Sequence, residues 1–135
     1  MEFRNDPAWY QPALVDENGH HYALHEHRPG YVRFGDVAMR LGMQCQYASS
    51  YVEGSDGDYP NLGKGLRFAG DADNYHELCI LPEDIEKFVG RMAAYQAAYH
   101  GRIVEQDGSE RRPTEEEARQ GAQYLADLGI NIPEN

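Results

Sequence analysis

At 135 residues and 41 % apolar side chains, the chain has the length and composition of one folding unit with one hydrophobic core. A net charge of −11, from 23 acids against 12 bases, repels phosphate backbones and favours basic partners. No signal-peptide pattern opens the chain, no apolar run approaches ~20 residues, and Cys45 and Cys79 form no metal-type pair; a soluble, cytoplasmic, non-membrane protein with reduced thiols is expected.

The first expected element is a β-hairpin with strands near 12–16 and 20–27, because Asn18-Gly19 accepts the positive φ angles of a tight turn. Phe34, Val37, Ala38 and Leu41 share one helical face, which predicts a short helix near 35–41 capped by Gly42. Residues 43–52 suit either a helix or a strand. The Gly-, Asp- and Pro-rich stretch 53–65 reads as a long loop of functional or mobile character. A second hairpin is expected, with Leu66–Ala69 and Tyr75–Ile80 around the Gly70–Asn74 turn.

Pro82, the acids Glu83 and Asp84, and the stripe Ile85, Phe88, Val89, Met92, Tyr95, Tyr99 predict a main helix over about 82–100. Gly90 interrupts it, which suggests close packing of a neighbour at that point. Arg102–Gln106 suits a short strand turned back by Asp107-Gly108. Thr114 and Glu117 form a capping box for a second main helix over about 115–128, ended by Gly129 and Ile130. The expected architecture is therefore α+β: two β-hairpins forming a small antiparallel sheet, packed against the two main helices and the short one, in a single domain 1–135.

The charge is uneven. Residues 53–86 carry −7 and 105–135 carry −5, whereas 28–52 carry +2. The acids of the first block stand among tyrosines, which offer wide amphipathic contact at low entropy cost. Asp56, Asp58, Tyr59, Asp71, Asp73, Tyr75 and Glu77, with Glu115 and Glu116, are the candidate partner-binding residues. Their chemistry implies a non-enzymatic regulator or inhibitor that engages a basic protein surface. In composition it is similar to the nucleic-acid mimics among phage and mobile-element anti-defence proteins.

Within residues 35–52, Ala38, Leu41, Gly42, Met43, Ala48 and Tyr51 form a pattern that resembles the helix-turn-helix family. That resemblance implies DNA binding through Arg40, Gln44, Gln46, Tyr47 and Ser49, with amide side chains reading adenine edges. A third possibility is a metal site on His21, His25 and His27, since Gly19 followed by His25-Glu26-His27 looks like the opening of the cupin metal motif, although Tyr31 and Val32 stand where its Glu belongs. No nucleophile elbow, phosphate-binding glycine loop or calcium loop is present in the sequence, and no cofactor is expected.

Overall fold

The computed structural model describes residues 2–4, 13–55 and 58–133. It is a small α+β fold. Strand β1 (Glu2–Arg4) pairs with β2 (Ala13–Val15), which pairs with β3 (His21–Ala23), all antiparallel. The β2–β3 hairpin forms, but its turn differs from the expected one: Gly19 alone has positive φ, 83°, Asn18 does not, and the Gly19 N–H donates to the Asp16 carbonyl at 3.1 Å. The second strand is much shorter than 20–27 because the chain turns at residues 25–30, where His25 Nδ1 accepts the His27 N–H at 3.1 Å.

A second sheet has strand order β4-β6-β5, formed by β4 (Val32–Arg33), β6 (Cys79–Ile80) and β5 (Phe68–Ala69). An isolated bridge between Leu24 and Val32 joins it to the first. Between β4 and β5 run α1 (Phe34–Arg40) and α2 (Cys45–Glu53), so residues 43–52 are mostly helical. Gly42, at φ 69°, makes the turn between them, and the Met43 N–H bonds back to the Ala38 carbonyl. The 75–80 strand is reduced to two residues because the segment from Ala72 to Glu77 is spent on successive turns.

Helix α3 (Pro82–Tyr95) continues without a break into a π-turn, Gln96–His100, that closes at Gly101. A hairpin of β7 (Ile103–Val104) and β8 (Glu110–Arg111) follows, and then α4 (Glu115–Asp127) with its capping box formed on Thr114 and Glu117. Arg111 and the Thr114 N–H hold the Glu117 carboxyl down to about 2. The close approach of α3 and α4 is at Gly121, where a Cβ would lie 2.7 Å from the Ala94 carbonyl oxygen. Gly90, where close packing was expected, has only the Tyr124 hydroxyl near, at 3.9 Å.

The core lies between the β4-β6-β5 sheet, the α1–α2 pair and α3. Phe34, Phe68 and Phe88 meet edge-to-face, with centroids 5.5 to 6.2 Å apart. Phe34 and Phe88 are fully buried, each worth roughly 1.5–3 kcal/mol from the transfer of its side chain out of water. Beside them Asp84 accepts from the Arg67 backbone N–H at 2.8 Å and from its guanidinium at 3.1 Å, which ties β5 to the first turn of α3.

The long 53–65 connection is anchored over its second half by burial and hydrogen bonds. Leu62 is fully buried, and the Leu62 and Gly63 N–H groups both donate to the Tyr51 carbonyl near the end of α2. Buried Arg91 donates to the Leu62 and Lys64 carbonyls at 3.0 and 2.6 Å. Gly54 and Gly63 are required by space: a Cβ on either would lie within 2.7 Å of a backbone oxygen. Among the described residues no helix is long and apolar enough to cross a membrane.

Candidate functional site

Helix α2 positions the surface of interest. Its buried stripe, Ala48, Tyr51 and Val52, fixes its rotation against the core. That leaves Gln44, Gln46, Tyr47 and Glu53 in solvent. Tyr47 and Tyr51 share a hydroxyl–hydroxyl hydrogen bond of 2.6 Å, and Tyr59 from the following loop packs edge-on against both rings. Burial, with the Tyr47 hydrogen bond, pushes the Tyr51 hydroxyl well above the usual tyrosine range, so it stays a neutral phenol.

The β5–β6 connection lies across the same face. Asp71 accepts the Asp73 N–H at 2.9 Å, a local turn that aims both side chains outward. Cys45 at the start of α2 donates to the Tyr75 carbonyl at 3.7 Å, and Tyr75 stacks on His76 at 4.2 Å. Burial raises the Cys45 thiol pKa, which leaves it a poor nucleophile. Glu77 lies 3.6 Å from the Nε2 atom of His25, whose side chain is almost wholly buried.

These elements enclose a hollow of about 280 Å³ lined by Gln46, Ser50, Glu53, Tyr59, Asp73 and Tyr75, among others. Thus Tyr59, Asp73 and Tyr75 from the acidic set and Gln46 and Ser49 from the helix-turn-helix set occupy one surface. No Lys, Arg or His is among the described residues of the lining. Asp58 is exposed on the adjoining loop and Asp56 lies outside the described residues.

Many carboxylates outside this face are paired with cations, although Asp36, Asp107, Glu115 and Asp127 have none within ion-pair distance among the described residues. Asp84 meets Arg67 and Lys87, Glu86 meets Arg40, Glu105 and Glu117 meet Arg111, Glu110 meets Arg102, and Glu116 meets Arg119. Glu53, Asp58, Asp71 and Asp73 have no cation within ion-pair distance among the described residues. Glu53 begins the acidic block 53–86, and Ser50 belongs to the stretch 35–52 that resembles a helix-turn-helix.

Several expected residues stand elsewhere. Glu115 and Glu116 open α4, whereas it is the far end of that helix that meets the 53–65 loop, through Lys64 Nζ donating to the Gly129 carbonyl at 2.8 Å. At thirteen residues the helix is roughly 20 Å long, so these two acids form no part of the hollow. Arg40 is not free for phosphate: its guanidinium binds Glu86, donates to the Tyr22 hydroxyl at 3.0 Å and lies 3.6 Å from buried Asp16. Ser49 does line the hollow, but it is 5 % exposed and spends its hydroxyl on the Gln46 carbonyl. His21, His25 and His27 are not gathered with other ligands, and among the described residues no group of three or more His, Cys, Asp or Glu side chains is placed to hold a metal.

No protein-family model, no curated protein and no solved structure matches this chain.

Proposed function

We propose that the protein is a non-enzymatic regulator or inhibitor that docks its α2–loop face on a basic protein surface, of the kind that nucleic-acid-binding proteins present. The supporting observation is the set of carboxylates without cations, Glu53, Asp58, Asp71 and Asp73, grouped around tyrosines while most acids of α3, β8 and α4 are met by arginines. Uncompensated charge of one sign, held on anchored loops beside a helix, steers association with the opposite sign and selects against nucleic acid. Mimicry of a phosphate backbone is the simplest use of such a face, and it places the partner in the cytoplasm with this chain.

The test is capture from a lysate of the organism that encodes it, at low and high salt, with wild-type protein and with Glu53, Asp58, Asp71 and Asp73 all changed to Lys. A partner whose captured surface is basic, released by salt and by added duplex DNA, and not retained by the variant, is the expected result. Retention of that partner by a folded variant refutes the reading.

A second reading has one observation in its favour, the helix pair α1–α2 turned at Gly42. It makes the protein a DNA-binding regulator that reads a groove with Gln44, Gln46 and Tyr47. Its phosphate anchoring is poor, because Arg40 is engaged and Glu53 ends the second helix. A low-salt mobility shift that disappears when Gln44 and Gln46 become Ala would establish it in place of the first.

A further inference from the structure

We infer that the hollow beside α2 is a subsite for one arginine side chain of the partner; the inference rests on the acidic-face reading and names what that face grips. Four features of the hollow converge on a guanidinium. Its volume, about 280 Å³, has room for a single long side chain, and a wider hollow of about 690 Å³ shares its Glu53, Gly54, Ser55 and Tyr59 walls. Its walls include Tyr59 and Tyr75, whose ring faces attract cations. Glu53 and Asp73 line it from opposite elements, and neither carboxylate has a cation or hydrogen-bond donor on its oxygens among the described residues.

The fourth feature is backbone. Helix α2 ends at the hollow, where Glu53 and Gly54 form part of the lining, and its last turn carries no basic residue. The Leu62 and Gly63 N–H groups satisfy the Tyr51 carbonyl, but no side-chain cation meets the negative end of the helix dipole, where a cation would be stabilised. A planar guanidinium can lie against a tyrosine ring and still donate through several N–H groups to two carboxylates, whereas an ammonium offers a point charge with no flat face. The occupant is therefore arginine in preference to lysine. The loop geometry that makes the hollow is fixed: Gly54 has φ 74°, and a Cβ there would lie 2.7 Å from the Tyr59 carbonyl oxygen.

The test is a titration of isotope-labelled protein with N-acetyl-arginine amide and, separately, N-acetyl-lysine amide, followed by two-dimensional amide NMR. Saturable shifts confined to Gly54, Ser55, Tyr59, Asp73 and Tyr75 are expected for arginine in the millimolar range, with lysine weaker by at least about threefold. Glu53→Gln with Asp73→Asn, both exposed and structurally unengaged, should weaken arginine binding by about tenfold or more at unchanged thermal stability. Absence of saturable shifts at the hollow, equal affinity for lysine, or an unaffected double variant each overturns the proposal. A hexa-arginine peptide separates this from the wider reading. If it binds through Asp58 and Asp71 with the hollow unshifted, the subsite falls and the face stands; if the amide saturates the hollow while the peptide shows no salt-sensitive binding, the face falls and the subsite stands.

Discussion

Asp16→Asn should destabilise the protein by about 3 kcal/mol, and most of that loss should vanish in a Tyr22→Phe background. Asp16 is 6 % exposed and accepts three hydrogen bonds, from the Asn18 and His20 N–H groups at 2.9 Å each and from the Tyr22 hydroxyl at 2.8 Å. An asparagine keeps one oxygen for the backbone donors but turns an NH₂ toward Tyr22. The Tyr22 hydroxyl already accepts from Arg40, so it can accept again only by leaving its own proton without an acceptor in a fully buried residue. The cost is about 1 kcal/mol for two bonds that lose their charge and roughly 2 for the orphaned hydroxyl.

Tyr22→Phe alone removes two bonds, the one donated to Asp16 and the one accepted from Arg40, and costs about 2 kcal/mol, and in the double variant there is no hydroxyl to orphan. The cycle should therefore close with a coupling of about 1–2 kcal/mol in urea unfolding followed by circular dichroism at constant m. Additive single effects would refute the reasoning. The same site gives a pH signature. Burial pushes the Asp16 carboxyl up, but the hydrogen bonds from His20, Tyr22 and Asn18 outweigh it and set it below its ordinary value of 3.8. A lowered folded value means stability that is present above the ordinary value and lost as pH falls through the folded one, so Asp16→Asn should flatten the acid limb below about pH 4.

Gly121→Ala should lower stability by about 1–2 kcal/mol, because a backbone oxygen of α3 stands where the new methyl must go, and thermal unfolding checks it. Gly90→Ala should raise stability by up to about 1 kcal/mol, since its methyl meets only an ordinary contact and gains helix propensity. A loss of more than that at Gly90 would mean that α3 and α4 approach differently. Thr114→Ala should cost about 1 kcal/mol by unmaking the capping box of α4, read as a shift in the urea midpoint.

What the sequence disclosed was local chemistry. The Thr114–Glu117 box carries its structure in adjacent residues and formed as expected, whereas the hairpin at Asn18-Gly19 formed with Gly19 alone at positive φ, and the α3 stripe holds from Ile85 to Tyr95 while Tyr99 is 47 % exposed. Residues 43–52 were ambiguous because Tyr47, Tyr51 and Val52 suit two periodicities; the choice is made by burial in the core, where Tyr51 meets Tyr95, far away in sequence. The continuation of α3 into a π-turn has no comparable local mark. For the candidate site, composition singled out Asp58, Asp71, Asp73, Tyr59 and Tyr75, of which Tyr59, Asp73 and Tyr75 line the hollow, yet counting charge could not tell Glu115 and Glu116 from them. The distinction comes from geometry: Arg119 sits beside Glu116, and α4 carries both acids away from the loops. Arg40 was misassigned for the same reason, since Asp16 and Glu86 are distant in sequence and meet it only in the fold.

The most direct measurement of the docking claim compares two variants of equal net charge, Asp71→Lys with Asp73→Lys and Glu115→Lys with Glu116→Lys, against wild type. Each is titrated at low salt with a labelled arginine-rich peptide and with a labelled DNA duplex. The expected result is salt-sensitive peptide binding by wild type and by the α4 variant, at least about tenfold weaker binding by the loop variant, and no duplex binding by wild type. Equal weakening in the two variants, or retention of the duplex by wild-type protein, would contradict it.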